Sequence, residues 1–299
     1  MELAKAAIVR GFRLLSSIFW HLSLAINGAV AKVSEGFGMP FEDMFWQSLT
    51  KRKRSVVHKS NIHGDVSLDI SQVNTITNWR AATFSSKEPE TLEWIDSFES
   101  HWSFIDVGAN VGLYSIYYLS VHKGEAFCVE PSVNNLQQLA LNLRLNDMGD
   151  RATILAMALG AEPSFVNLKA ATIQPGSAET SAGYLNQEVE IRYRTTSWTL
   201  DDITGALTSD FALKIDVDGL EAEILRGAKK FLRSQACKTV LIENDLALSS
   251  RKKEIENLLE SAGLVLAQES SSELMSQLEE SQKTVNQVWT RAPVQKRSP

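Results

Sequence analysis

From His101 onward the chain alternates short apolar runs with amphipathic stretches, and no other feature constrains its fold as much. Ser103–Val107, Ala126–Val129, Thr153–Leu155, Phe211–Ile215 and Thr239–Ile242 are largely apolar, as strands covered on both faces are. Between them, Val111–Ser120, Asn134–Asn146, Leu220–Leu232 and Arg251–Ala262 read as helices. In the second of these, Leu136, Leu139, Ala140 and Leu143 share a face. The third opens with Glu221 and Glu223 and closes near Lys229, Lys230 and Arg233, the charge order that complements a helix dipole. Leu264–Leu266 and Val285–Thr290 supply the last strands. Such a succession predicts an α/β domain with a doubly wound, mostly parallel sheet.

The 299 residues suit one such domain plus an appendage. We divide the chain into an amphipathic N-terminal helix (1–33), a connector with a small β-rich lead-in (34–87), the α/β domain (88–294) and a flexible tail (295–299). In the first segment Ile8, Phe12, Leu15, Phe19, Leu22, Ile26 and Val30 step by threes and fours. Arg10, Arg13, Ser17 and His21 fall on the opposite face. Ser16, Ser17, His21, Ser23 and Asn27 make the segment poor for a membrane span. It is expected to pack on protein. Docking on a membrane surface or a partner, and a secretory signal ending near Ala29-Val-Ala31, are the alternatives. In the lead-in, Val66-Ser-Leu68-Asp-Ile70 alternates and His63-Gly-Asp65 marks a turn; Glu88–Phe98 then reads as a helix. Lys51-Arg-Lys-Arg54 reads as a solvated loop face.

A net charge of −6 argues against a general nucleic-acid binder. Cys128 and Cys237 lie in apolar runs, which predicts buried free thiols in a reducing compartment. No Cys/His spacing suggests a metal site.

The chemistry concentrates where the first strand of the domain ends, at Asp106-Val-Gly108-Ala109-Asn110-Val-Gly112. In doubly wound sheets ligands bind beyond the carboxyl ends of strands, at the switch in strand order. Gly108 permits a tight turn and close approach of a ligand to the backbone. Asn110 suits the N-cap of the next helix, and Gly112 lets that helix pack closely. Asp106 offers a carboxylate to a cationic group. A dinucleotide pyrophosphate needs glycine where Asn110 stands. Glu130-Pro131 ends the second strand with an acid able to accept ribose hydroxyls. S-adenosylmethionine meets these conditions; NAD remains the alternative.

The region from Glu88-Pro-Glu-Thr91 to about Asp245 resembles the FkbM-type methyltransferases. The resemblance rests on Phe104-Ile-Asp-Val-Gly-Ala-Asn-Val-Gly112, Glu130-Pro131, Thr199-Leu-Asp-Asp202 and Lys214-Ile-Asp-Val-Asp-Gly219. Val217-Asp218-Gly219 stands where the family usually shows Val-Glu-Gly, shortening that acid by one methylene. The resemblance implies a Rossmann-like methyltransferase fold; it does not extend to residues 1–87, which read from their own pattern as a helical and β-rich extension. It also implies S-adenosylmethionine as cofactor and O-methylation of a small molecule or carbohydrate. A cytosolic methyl donor makes a cytoplasmic location the expectation, with membrane association through the first helix as a variant.

The expected cofactor-binding residues are Asp106, Gly108, Ala109, Asn110, Gly112, Glu130, Pro131 and Asp216, and the expected catalytic acids are Asp216, Asp218 and Glu243. Capping the next helix is the alternative for Asp216 and Asp218, and a solvated loop position for Glu243. Lys214 is expected to pair with a carboxylate, and Asp201 and Asp202 to serve as turn and cap residues. His101 and His122 are expected at the surface. Thr172–Gln187, with Pro175-Gly-Ser177, reads as a lid or a surface loop. An NAD-binding oxidoreductase and a non-catalytic protein of the same fold are the competing functions.

Overall fold

The parallel sheet forms, and its strand order reverses between two neighbouring strands. The computed structural model describes residues 2–36, 48, 50–170, 174–177, 180–181, 191–205, 207–217, 219–245, 249–270 and 284–291. The chain divides into two compact units, Met1–Arg52 and Lys53–Pro299.

The first unit holds helix α1 (Glu2–Gly36). The second opens with an antiparallel hairpin, β1 (Lys53–Ser60) and β2 (Gly64–Ser71), and the helices α2 (Thr75–Lys87) and α3 (Pro89–Asp96). Then come β3 (Ser103–Val107), α4 (Leu113–Val121), β4 (Ala126–Val129), α5 (Val133–Leu145) and β5 (Ala152–Leu155). A second sheet contributes β6 (Ala158–Leu159), β7 (Ser164–Ala170), β8 (Thr180–Ser181) and β9 (Ile191–Trp198). The chain continues through α6 (Leu200–Thr204), β10 (Phe211–Ile215), α7 (Glu221–Arg226), α8 (Lys229–Arg233) and β11 (Cys237–Asp245). It ends with α9 (Ser249–Ser261), β12 (Leu264–Ser270) and β13 (Thr284–Arg291).

The main sheet has the order β12-β13-β11-β10-β3-β4-β5. Strands β5, β4, β3, β10 and β11 are parallel, and β13 runs antiparallel to both its neighbours. The chain steps outward from β3 to β5 and returns through β10 on the other side of β3, so the switch lies between β3 and β10. Alternation sends Phe104 and Ala212 into the core on one face, and Ile105, Val107, Leu213 and Ile215 into the core on the other. Lys214 pairs in register with Asp106, so both charges share the first face.

Several expectations need correction. The lead-in contains α2, hidden from a pattern reading because Thr75-Ile-Thr77 looks strand-like. A capping box makes it helical: Asn74 Oδ1 accepts from Thr77 N at 2.8 Å and Thr77 Oγ1 from Asn74 N at 3.2 Å. Helix 220–232 is two helices broken at Gly227, where a Cβ would lie 2.1 Å from the carbonyl oxygen of Gly160. His122 is buried, its ring stacked on Phe98 and Tyr118 and its Nε2 2.8 Å from Ile95 O; His101 is exposed. The second sheet has no counterpart in the sequence reading, because β7 and β9 carry polar, half-exposed faces.

Other expectations hold. Cys128 and Cys237 are buried free thiols. Thr199 and Asp202 form a capping box on α6, and Asp201 accepts from the N–H groups of Lys230 and Phe231 at the start of α8.

Candidate active site

The loops after β3 and β10 meet at the switch point. Gly108 has φ +84°, and a Cβ on it would lie 1.9 Å from the carbonyl oxygen of Asp216. The glycine is therefore required by the neighbouring loop, a cause the sequence reading did not include. Asp216 N–H donates to Val107 O at 3.1 Å, and the N–H groups of Gly108 and Ala109 donate to Val129 O at 3.0 Å. Gly112, at φ +81°, is the N-cap of α4, the place expected for Asn110. Asn110 instead sits in the left-handed region at φ +52°, which Asn tolerates better than most residues. Its Oδ1 accepts from Val111 N at 2.9 Å and its Nδ2 donates to Ser177 O at 3.0 Å.

These loops border a cavity of about 290 Å³. Gly108, Ala109, Asn110, Glu130, Pro131, Asp216 and Glu243 line it, and Asp106 and Gly112 do not. The Asp106 carboxylate is turned into the core, where Oδ2 accepts from Ser115 Oγ at 2.6 Å and Oδ1 has no partner. Burial pushes its carboxyl upward, against the pull of Lys214 and Ser115. Asp106 thus lies beneath the site and not in its wall. Asp218 falls outside the described residues; beside it, Glu221 accepts from the N–H groups of Val217 and Gly219.

Part of the wall combines Glu130 after β4 with the apolar Met157 and Leu159 after β5, and Leu220 and Ile224 join it from the segment after β10. Glu130 is 4% exposed. It accepts from Asn110 N and Ser132 N at 2.8 Å each and from Asn135 Nδ2 at 3.4 Å. An ionised carboxylate has roughly four acceptor positions, so this one retains room for a single ribose hydroxyl, where two were expected.

On the β11–β13 side the wall is charged. Lys214, 1% exposed, donates to Asp216 Oδ2 at 2.6 Å and lies 5.0 Å above the centre of the Tyr114 ring. Tyr114 Oη donates to Glu88 at 2.6 Å, and Glu88 pairs with Lys87. Glu243 lies within β11, which runs on to Asp245 and not only to Ile242 as expected, and it accepts from Thr284 Oγ1 at 2.8 Å.

The methyltransferase FkbM domain matches residues 106–266, the greater part of the domain containing this cavity. The chain belongs to the FkbM methyltransferases. No curated protein matches it. Among solved structures it is similar to a precorrin-6y C5,15-methyltransferase from Geobacter metallireducens, with 13% identity over 69% of this chain and 87% of that one, at a TM-score of 0.40. Aeropyrum pernix fibrillarin, solved with natively bound S-adenosyl-L-methionine, gives 13% identity over 81% of this chain and 86% of that one, at 0.43. A ribosomal protein L11 methylase from Lactobacillus delbrueckii subsp. bulgaricus gives 9% over 69% and 76%, at 0.41.

In this FkbM methyltransferase the charged wall holds unequal acids. Burial works to raise the Asp216 carboxyl, but the ammonium groups of Lys214 and Lys87 outweigh it and hold the acid below the usual carboxylate range. Burial, then the charges of Asp216 and Glu88, push Glu243 well above that range. Burial pulls the Lys214 ammonium down, but Asp216, Asp106 and Glu88 hold it above the ordinary lysine value. Burial and then Glu88 raise the Tyr114 phenol, which stays a donor. Among the described residues no cluster of His, Cys, Asp and Glu is arranged to hold a metal.

The sequence reading missed Tyr114, Glu88, Asn135 and Thr284. Tyr114 had a signal, since it lies in the first turn of the helix that follows the glycine loop. Thr284 had none, because only strand pairing brings β13 beside Glu243.

Proposed function

We propose that this methyltransferase moves a methyl group from S-adenosylmethionine to a hydroxyl oxygen of a small molecule or carbohydrate, with Glu243 receiving the hydroxyl proton. The observation that carries this reading is the pair of acids, Asp216 after β10 and Glu243 in the neighbouring β11, lining one cavity with opposed proton affinities. Pairs whose environments push their proton affinities apart are how acid and base roles are divided.

The residues present fit the cofactor. Glu130 keeps one acceptor position for a ribose hydroxyl, and Met157, Leu159, Leu220 and Ile224 offer apolar lining for an adenine in the cavity that the glycine loop and the acids also line. When bound, the cofactor supplies an electrophilic methyl group on a sulfonium. The protein's own work is to hold the acceptor in line and to take its proton. Lys214 keeps Asp216 ionised, and Asp216 in turn raises the proton affinity of Glu243. Asn110, standing where a dinucleotide site needs glycine, favours this ligand over NAD.

Calorimetry separates the readings. S-adenosylmethionine should bind and NAD should not; the reverse result overturns the proposal. Glu130→Ala should weaken S-adenosylmethionine binding by about tenfold or more, because a charge-assisted hydrogen bond is lost. Unchanged affinity in that variant removes Glu130 from the site. A cell extract incubated with labelled methyl donor would reveal the acceptor, and a labelled nucleic acid there contradicts the small-molecule reading.

We also propose that α1 docks the protein on the cytoplasmic face of a lipid bilayer. Leu14, Leu15, Ile18, Phe19, Leu22, Ile26, Val30 and Val33 are all exposed, where packing on protein was expected. Arg13–Val33 has a mean hydropathy of 1.5 over 21 residues, enough by length and composition to cross a membrane, where polar side chains had argued against a span. Some of those polar groups bond within the helix: His21 Nδ1 lies 2.7 Å from Ser17 O. Lys5 and Arg10 precede this stretch in the sequence and Arg13 opens it, charges that suit anionic headgroups; Lys51-Arg-Lys-Arg54, expected as a loop face, instead enters β1 at Lys53, which pairs with Asp69. The full chain should float with vesicles of phosphatidylcholine and phosphatidylserine. Phe19→Asp with Leu22→Asp should cut the bound fraction by on the order of 100-fold. A full chain that stays with the soluble fraction overturns the proposal.

A further inference from the structure

Residues 174–177 cross from α2 to the glycine loop and form a strap beside the cavity, which Ser177 helps to line. On one side Asn74 Nδ2 donates to Pro175 O at 2.9 Å and Arg80 Nε to Gly176 O at 2.6 Å. Gly176 has φ +88°, and a Cβ on it would lie 3.2 Å from Ile76 Cγ2 and 3.3 Å from Thr77 Cγ2, so the strap is pressed against α2. On the other side Asn110 Nδ2 donates to Ser177 O at 3.0 Å, and Gly176 N–H donates to Asn135 Oδ1 at 2.8 Å.

Asn135 is 2% exposed and touches both the strap and the cofactor acid. While its Oδ1 accepts from Gly176, its Nδ2 lies 3.4 Å from Glu130 Oε1 and 3.5 Å from Ser177 O. A carboxamide has one acceptor end and one donor end. With the oxygen turned to Gly176, the nitrogen must face Glu130 and Ser177. Asn110 repeats the link, since its backbone N–H donates to Glu130 Oε2 at 2.8 Å while its side chain holds Ser177.

We infer that Asn135 is a positioning residue that couples Glu130 to the strap, so that a cofactor held by Glu130 also fixes the wall of its own site. The inference rests on the cofactor reading above. A ribose hydroxyl taking the last acceptor position of Glu130 orients that carboxylate, which orients Asn135 Nδ2 and, through the rigid amide, the oxygen that holds Gly176. Binding linkage is reciprocal, so a strap held in place tightens cofactor binding by the same factor. The charged side chain bearing on Glu130 is Asp106 of β3. The groups facing it from α5 and the glycine loop, Asn135 and the N–H groups of Ser132 and Asn110, are uncharged.

The test uses the full chain with S-adenosylmethionine and S-adenosylhomocysteine as probes, read by calorimetry and by hydrogen exchange of a peptide covering 174–177. In the unaltered protein either probe should slow exchange of the Gly176 amide. Asn135→Ala should bind about tenfold more weakly and lose that slowing. Asn135→Asp is nearly isosteric, keeps the acceptor for Gly176 and places a like charge beside Glu130. Its binding should be weak at pH 8 and recover as pH falls toward 5.5, where a shared proton restores the donor. A purely structural asparagine would not make the slowing of Gly176 exchange return together with binding over the same pH range. Unchanged affinity and unchanged slowing in Asn135→Ala, or no pH recovery in Asn135→Asp, overturn the coupling alone. An unaltered protein that binds neither probe sinks the cofactor reading and the coupling with it.

Discussion

Glu243→Gln should lower kcat by about 10²- to 10⁴-fold, the usual contribution of a positioned base, with little change in KM. Burial and the charges of Asp216 and Glu88 raise the proton affinity of Glu243 well above that of an ordinary carboxylate, so its protonated form persists to higher pH. A glutamine has the same shape and the same donor for Asp216, so ground-state binding and folding should survive. What it lacks is the ability to become a carboxylate. The sign of the pH dependence follows: only ionised Glu243 accepts a proton, so kcat/KM should climb with pH through a limb lying above the ordinary carboxylate range. The two acids titrate together, and that limb belongs to the pair. Glu243→Gln should flatten it. An unaltered enzyme whose rate is constant from pH 5 to pH 9, or a glutamine variant with near-normal turnover, would assign proton removal elsewhere. Asp216→Asn is a poorer probe, because it strands the buried Lys214 ammonium and should cost about 3–5 kcal/mol.

Gly108→Ala should be the most damaging single methyl addition at this site. Two independent costs add. An L-residue at a left-handed φ costs about 1–2 kcal/mol, and overpacking against an unyielding neighbour costs about 1–3 kcal/mol more. The neighbour is backbone, the carbonyl of Asp216, so relief requires parting β3 from β10 beside the acids. A loss of about 2–5 kcal/mol should lower Tm by on the order of 10 °C for a domain of this size. Gly112→Ala provides the internal control. Its φ is also positive, but its obstacle is Leu139 Cδ1 at 2.2 Å, the end of a side chain that can rotate. Thermal unfolding should therefore rank Gly108→Ala clearly below Gly112→Ala. Equal midpoints would mean that the two loops do not touch as described.

Strand positions were readable because strands buried on both faces need continuous apolar runs, and β3, β4, β10 and β11 have them. Element ends were less readable where contacts distant in sequence set them. Position 227, where the periodic stretch breaks into two helices, is held to glycine by Gly160, whose carbonyl oxygen would lie 2.1 Å from a Cβ there. The four-stranded sheet escaped because half-exposed strands carry polar residues that a pattern reading takes for loop.

The glycine loop, Glu130, Lys214, Asp216 and Glu243 could be singled out from the residues alone, because their chemistry is fixed by side-chain type and by their position in or just after the apolar strand runs. What each does was decided by neighbours. Asp106 and Asp216 are the same amino acid near the carboxyl ends of adjacent strands, two register positions apart, yet one faces Ser115 in the core and the other faces the cavity beside Lys214. Local sequence determines what a residue is able to do. Only the packed structure, by removing water and choosing each charge's partner, decides which carboxylate keeps its proton, and the energy of a charge depends on groups that the chain brings together from far apart.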